Sequence, residues 1–186
     1  MVIFDLDGTL VDSDAALVGA FVAHGIAAET VTFGHVLADE CARLGIDLDS
    51  YLDAYDPNRV QPFPGVAEMI GHLEQAGIRW AICSNKHPRS GHAEMTRLGW
   101  RPQGAWFSDS FDGGPKNLVV PVAELGVDPL RLIYVGDTDH DREVAAEVGC
   151  RFVAAGWNPR VEPRAGEWVA HHPAEILDLL GLTPRR

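Results

Sequence analysis

Cysteine is scarce in this chain, which has Cys41, Cys83 and Cys150 and no others. Three cysteines, far apart and without a CxxC pair, indicate neither a disulfide framework nor a cysteine-built zinc site. A reducing cytoplasm is the expected setting. Long apolar runs are missing too. No window approaches the length of a bilayer span, and no basic region precedes the first apolar stretch, so neither a membrane span nor a leader is expected. Basic charge is short: fifteen Lys and Arg stand against twenty-seven Asp and Glu, a net charge of −12. That balance opposes non-specific attraction to nucleic acid and to anionic membranes. The sequence has no GxxxxGK[ST] loop, no GxGxxG fingerprint and, among eight histidines, no HExxH pair. Nucleotide sites of those types therefore have no support.

What is present describes a globular enzyme-sized chain. Hydrophobic residues make up 46% and charged residues 23% of 186 positions, so a real core is possible and disorder is not indicated. Short apolar runs at 2–4, 80–83, 132–135 and 152–155 read as buried strands, with a weaker one near Trp106 and Phe107. Helix-period segments at 66–75, 90–98, 118–125 and 138–148 lie between or after them, each closed by a glycine, Gly77, Gly99, Gly126 or Gly149. This alternation predicts a doubly wound α/β fold, a parallel sheet with helices on both faces. The stretch 14–61 breaks the pattern. Leu17, Ala20, Phe21 and His24 are spaced for one helix, and Phe33, Val36, Leu37 and Leu44 for another. It is expected to be a small helical cap leaning on the main sheet, with Pro57, Pro62, Pro64 and Gly65 marking the way back.

The chain opens MVIFDLDGTLVDSD, with Asp5, Asp7, Asp12 and Asp14 directly behind an apolar run. Carboxylates that share a site repel unless a cation lies between them. Ligands of open α/β sheets bind beyond the carboxyl ends of the strands. Those ends deliver Asp5, then Ser84 and Asn85, then Asp137 with Asp141 one turn further on; Lys116, in a GGPKN loop, can reach the same place. Asp5 and Asp137 are hard oxygen ligands suited to Mg²⁺. Asp5 can attack phosphorus as a carboxylate nucleophile, and the turn at Gly8 can aim Asp7 at the leaving oxygen as general acid and later base.

Each residue also has an ordinary reading. Thr138 and Asp141 match a capping box, which for Asp141 alone weighs as much as function. Ser84 or Asn85 alone can be a turn residue, and Asp12 or Ser13 a helix N-cap. Lys86 and His140 are expected to be exposed, Trp80, Trp106 and Trp157 to pack at the core or rim, and Arg43 and Arg59 to be solvated. Lys116 has no local reason to precede a helix, where the dipole is positive, unless an anion is near.

Taken in order, Asp5-Leu-Asp-Gly-Thr-Leu-Val-Asp-Ser13, Ser84-Asn85, Lys116 and Gly136-Asp-Thr-Asp-His-Asp141 resemble the four motifs of the haloacid dehalogenase-like hydrolase superfamily. SNKHP at 84–88 is similar to the TNKP stretch of its phosphoglycolate phosphatase-like members, and the whole chain resembles the phosphoglycolate phosphatase-like and β-phosphoglucomutase-like branch with a small helical cap. The resemblance implies a Rossmann-like core formed by 1–13 and 62–186 and a cap formed by 14–61. It implies Asp5 as nucleophile and Mg²⁺ ligand, and Asp7 as acid/base with its backbone carbonyl on the metal. Asp137 would be a further ligand and Asp141 a direct or indirect metal partner. Lys116 would brace nucleophile and phosphate, while Ser84, Asn85, Thr9 and Lys86 would contact substrate. Asp7 favours phosphoryl transfer, because the dehalogenases need no acid there. Two departures stand out: the loop from Lys116 to Gly126 and the cap both look shorter than in the family.

The expected activity is Mg²⁺-dependent hydrolysis of a small phosphorylated metabolite by a monomer or small homo-oligomer. A phosphomutase on a sugar phosphate, or a non-catalytic module switched by metal and phosphorylation of Asp5, fits the same residues.

Overall fold

The structure is a computed structural model and describes residues 1–32 and 36–182. β1 (Val2–Phe4) is entirely buried and runs straight into the acidic turn. The chain then leaves along β2 (Val11–Asp12) and returns along β3 (Gln61–Pro62), which pair antiparallel. Between these two strands lie α1 (Asp14–Ala23), α2 (Leu37–Leu44) and α3 (Leu48–Ala54). From there strands and helices alternate: α4 (Val66–Gln75), β4 (Trp80–Cys83), α5 (Pro88–Leu98), β5 (Ala105–Trp106), α6 (Val119–Leu125) and β6 (Ile133–Gly136). The chain finishes with α7 (Asp139–Val148), β7 (Arg151–Ala155), β8 (Val169–Ala170) and α8 (Glu175–Leu179).

Six strands form one parallel sheet in the order β5-β4-β1-β6-β7-β8. Strands are added outward on one side of β1 and then on the other, which is the doubly wound arrangement. β1 sits where the direction changes, with Val2 opposite both Trp80 and Ile133. Alternate residues serve opposite faces, as the strand period requires. Ile3, Ala81, Cys83 and Tyr134 belong to one buried cluster, and Val2, Phe4, Ile82 and Val135 to the other.

The second cluster runs without a break into residues 14–61. Phe21 on α1 and Tyr51 on α3 stack with ring centroids 4.4 Å apart, and both join the cluster that contains Phe4. The Tyr51 hydroxyl donates to the Leu17 carbonyl at 3.2 Å. Fewer than fifty residues rarely hold a core alone, and here they borrow one from the sheet.

Most predicted elements are present with ends moved by a residue or two. Gly99, Gly126 and Gly149 are left-handed C-caps, as expected, whereas Ala76 caps α4 and Gly77 (φ 66°) follows it. The helix expected from Phe33 begins at Leu37; Phe33 itself lies outside the described residues. α3, β8 and α8 were not predicted. Cys41, Cys83 and Cys150 are all free thiols. Among the described residues no helix is long and apolar enough to cross a membrane.

Phe4 is 0% exposed and meets Trp80 edge-on, while Leu130 is 84% exposed. Phe4→Ala is expected to cost about 3–5 kcal/mol and Leu130→Ala less than about 0.5 kcal/mol. Denaturant midpoints measure both, and equal losses would contradict this assignment of the core.

Candidate active site

Three adjacent strands end at one crevice: Asp5 follows β1, Ser84 follows β4 and Asp137 follows β6. With Asp7, Asn85, Lys86 and Lys116 they line a single cavity. Its empty space, counting the part open to solvent, is about 890 Å³. Leu17, Phe21, Val31, Leu37 and Tyr51 supply an apolar wall from the 14–61 segment. Arg43 and Arg59 do not line the cavity; both are exposed, and Arg43 is held by Glu40 at 2.6 Å.

Lys116 is the hub of the polar wall. Its Nζ lies 2.7 Å from Asp5 Oδ2 and 2.7 Å from Asp141 Oδ1, and its side chain is 3% exposed. The loop that carries it is held at the backbone of Lys116 itself. Asn85 Oδ1 accepts from the Lys116 backbone N–H at 2.6 Å, and the His140 ring nitrogen Nε2 lies 3.0 Å from the Lys116 carbonyl oxygen. His140 is therefore half-buried and bound to the loop, not exposed as its flanking aspartates suggested.

Asp141 closes the capping box that the sequence suggested and also faces Lys116. Its Oδ2 accepts from the backbone of Asp137 and Thr138 and from the Thr138 hydroxyl, closing the capping box of α7. Its Oδ1 meets Lys116 and the Tyr134 hydroxyl, each at 2.7 Å. One carboxylate thus starts the helix and orients the lysine.

Ligand oxygens of Asp5, Asp137 and Asp141 all lie within 4.8 Å of one another, a set that could hold a metal ion. Crowding this tight depends on two glycines. A Cβ on Gly8 (φ 76°) would sit 2.2 Å from Asp137 Oδ2, and one on Gly136 would sit 2.3 Å from the Asp141 carboxyl carbon. Burial, with the charges of Asp5 and Asp141 beside it, pushes Asp137 up to about 8. Burial likewise pushes Asp5 up to about 6, although Lys116 opposes it. For Asp141 burial acts in the same direction, but the charge and hydrogen bond of Lys116, together with the hydrogen bonds from Thr138 and Tyr134, hold the group below the usual range. Burial would lower Lys116; Asp141 and Asp5 hold it raised.

The remaining predicted residues fall into place differently. Thr9 is fully buried behind the wall, with its hydroxyl on Asp137 Oδ1 at 3.2 Å. Lys86 is not an exposed helix-start lysine: it is buried and paired with Asp7 at 2.6 Å and Glu94 at 2.8 Å. Ser13 occupies the N-cap position of α1 but makes no side-chain cap, because its hydroxyl donates to Asp7 Oδ1 at 2.5 Å.

Asn158 was missed by the sequence reading. It is 2% exposed and donates to the Gly8 carbonyl at 2.7 Å and to Asp137 Oδ2 at 3.2 Å, tying the first and last acidic turns together. Trp157 beside it donates to the Thr9 carbonyl at 2.8 Å, so its indole does more than pack. The strand-end rule used for the other strands would have reached this Gly-Trp-Asn turn after β7.

Comparisons with known proteins give the family. Residues 2–155 match the model of the haloacid dehalogenase-like hydrolase family. An N-acetylmuramic acid 6-phosphate phosphatase of Pseudomonas aeruginosa is 28% identical, over 96% of this chain and 93% of its own. A phosphoglycolate phosphatase of Synechococcus elongatus is 30% identical, over 95% and 94%. Among solved structures, a hydrolase from Pseudomonas syringae shares the fold with a TM-score of 0.73 at 20% identity, covering 97% of this chain and 96% of that one. A haloacid dehalogenase-superfamily hydrolase from Geobacter sulfurreducens does so with a TM-score of 0.73 at 21% identity, covering 96% and 97%. The chain belongs to the haloacid dehalogenase-like hydrolase family, and to the phosphatases within it.

A raised carboxyl pKa means that the folded state binds the proton more tightly than the unfolded state. Without a metal ion, the burden of Asp137 is absent below its ordinary value of 3.8, grows as pH rises toward about 8 and levels off above it. Asp137→Asn is therefore expected to stabilise the chelator-treated protein at pH 8 by on the order of 1–2 kcal/mol, or roughly 5 °C in Tm. Thermal unfolding in EDTA checks this, and a drop in Tm would contradict it.

Proposed function

We propose that this chain is a Mg²⁺-dependent phosphatase that hydrolyses a small phosphomonoester through a phosphoaspartate on Asp5. One observation carries the reading: Asp5, Asp7, Ser84, Lys116 and Asp137, from four separate stretches of the sequence, line one cavity. Asp5, Asp137 and Asp141 would hold the magnesium, since three hard carboxylate oxygens within 4.8 Å of one another suit a small divalent cation. When bound, that ion neutralises and orients phosphate oxygens.

The steps then follow from the residues. Lys116 holds Asp5 Oδ2 and the Leu6 backbone N–H holds Oδ1 at 2.7 Å, so the carboxylate is fixed toward the cavity. Asp5 attacks phosphorus; an oxygen–phosphorus bond forms while the ester bond breaks, and Asp7 gives its proton to the departing oxygen. Water next attacks the phosphoaspartate as Asp7 takes its proton, which releases phosphate and restores Asp5. Ser84 and Asn85, at the end of β4, would steady the transferred group.

The 14–61 segment is read as the cap that receives the rest of the substrate. Its apolar wall suits a substrate body with carbon surface to bury. N-acetylmuramic acid 6-phosphate and phosphoglycolate, the substrates in the relatives' names, are the first two to try.

Phosphate release from an aryl phosphate and from these two compounds is expected with Mg²⁺, and only background release in EDTA or with Asp5→Asn. Asp7→Asn is expected to lower turnover by about 10²–10⁴-fold. Equal rates for all of these would contradict the reading, and isomerisation of a sugar phosphate without phosphate release would make the chain a mutase.

A further inference from the structure

Lys86, Glu94 and Tyr55 form a buried polar chain that the steps above leave without a task. Lys86 Nζ sits between Asp7 Oδ1 at 2.6 Å and Glu94 Oε1 at 2.8 Å, with the Tyr55 ring centroid 5.2 Å away. The Tyr55 hydroxyl donates to that same Glu94 oxygen. The side chains of Lys86 and Glu94 are 2% and 0% exposed. Glu94 Oε2 is buried and, among the described residues, has no hydrogen-bond partner. Apolar side chains of similar volume avoid the desolvation of two charges and the orphaned acceptor, so stability alone does not account for this group.

Its geometry converges on Asp7. Oδ1 of that carboxylate receives both Ser13 Oγ at 2.5 Å and Lys86 Nζ at 2.6 Å, while among the described residues no donor reaches Oδ2. Two donors arriving on one oxygen, from the start of α1 and from the end of β4, fix the rotation of the carboxylate. Glu94 balances the lysine charge, so that Lys86 orients Asp7 without acting on it as a lone cation. Tyr55 caps the C-terminus of α3, and so links the 14–61 segment to the same chain.

We propose that Lys86 and Glu94, anchored by Tyr55, are positioning residues that hold Oδ1 of Asp7 and leave Oδ2 to exchange protons with the leaving oxygen and then with water. This rests on the phosphatase reading. It gives Lys86 a different duty from the substrate contact that its motif suggests.

The test uses Lys86→Met and the double variant Lys86→Met/Glu94→Gln, which leaves no uncompensated buried charge if the single variant folds poorly. An alkyl phosphate needs a proton on its leaving oxygen, whereas 4-nitrophenolate leaves without one. With the alkyl ester, kcat is expected to fall about 100-fold while KM stays within about threefold. With 4-nitrophenyl phosphate, the first-turnover burst is expected to stay within about tenfold of the unsubstituted protein, followed by slow steady turnover. A raised KM for both esters with kcat retained, or an equal loss in the burst and the alkyl reaction, overturns the proposal. If the unsubstituted protein releases no phosphate, the phosphatase reading itself has failed, and a crystal structure of the variant still decides the positioning. An Asp7 carboxylate turned away from Ser13 supports it, and one left in place overturns it.

Discussion

Three crowded carboxylates, two of them buried against one lysine, are the constraint on which the rest of this structure depends. Asp5, Asp137 and Asp141 bring three negative charges to within 4.8 Å of one another, and Lys116 returns one. Two negative charges remain when all three are ionised, which is the charge that a single divalent cation balances. Like charges in a low-dielectric site are tolerated only with such compensation, or by holding protons. The raised value of Asp137 follows the second option in the protein alone. The first is what the proposed chemistry uses.

The fold delivers that constraint cheaply because the central strand carries Asp5. β1 has neighbours on both sides, so its end cannot shift without moving β4 and β6. Gly8 and Gly136 then let the Asp137 and Asp141 carboxylates approach the backbone at distances no other residue would allow. Asn158 clamps the two acidic turns from the far side. Rigid strand ends supply the aim, and glycine-permitted contacts supply the crowding.

Much of this was legible in the sequence, for identifiable reasons. Buried parallel strands such as 2–4 and 80–83 are continuous apolar runs, and the glycines after the helices fix their ends, so the alternation could be read directly. The acidic set was legible because its members sit at strand ends. What escaped lacked local signal. β8 has two residues, and α3 is too short for its period to show. Lys86 and His140 looked exposed because their neighbours are polar; only the tertiary fold brings Glu94 and the Lys116 loop against them. Asp141 could not be assigned to capping or to the site because one carboxylate does both.

The most direct measurement of the central claim is the proton count on Mg²⁺ binding. Calorimetric titration at pH 7, repeated in buffers of different ionisation heat, separates that count from the binding heat. Because burial holds Asp137 at about 8, the account predicts that Mg²⁺ binds and displaces roughly one proton. Binding with no proton released, or no binding at all, would contradict it.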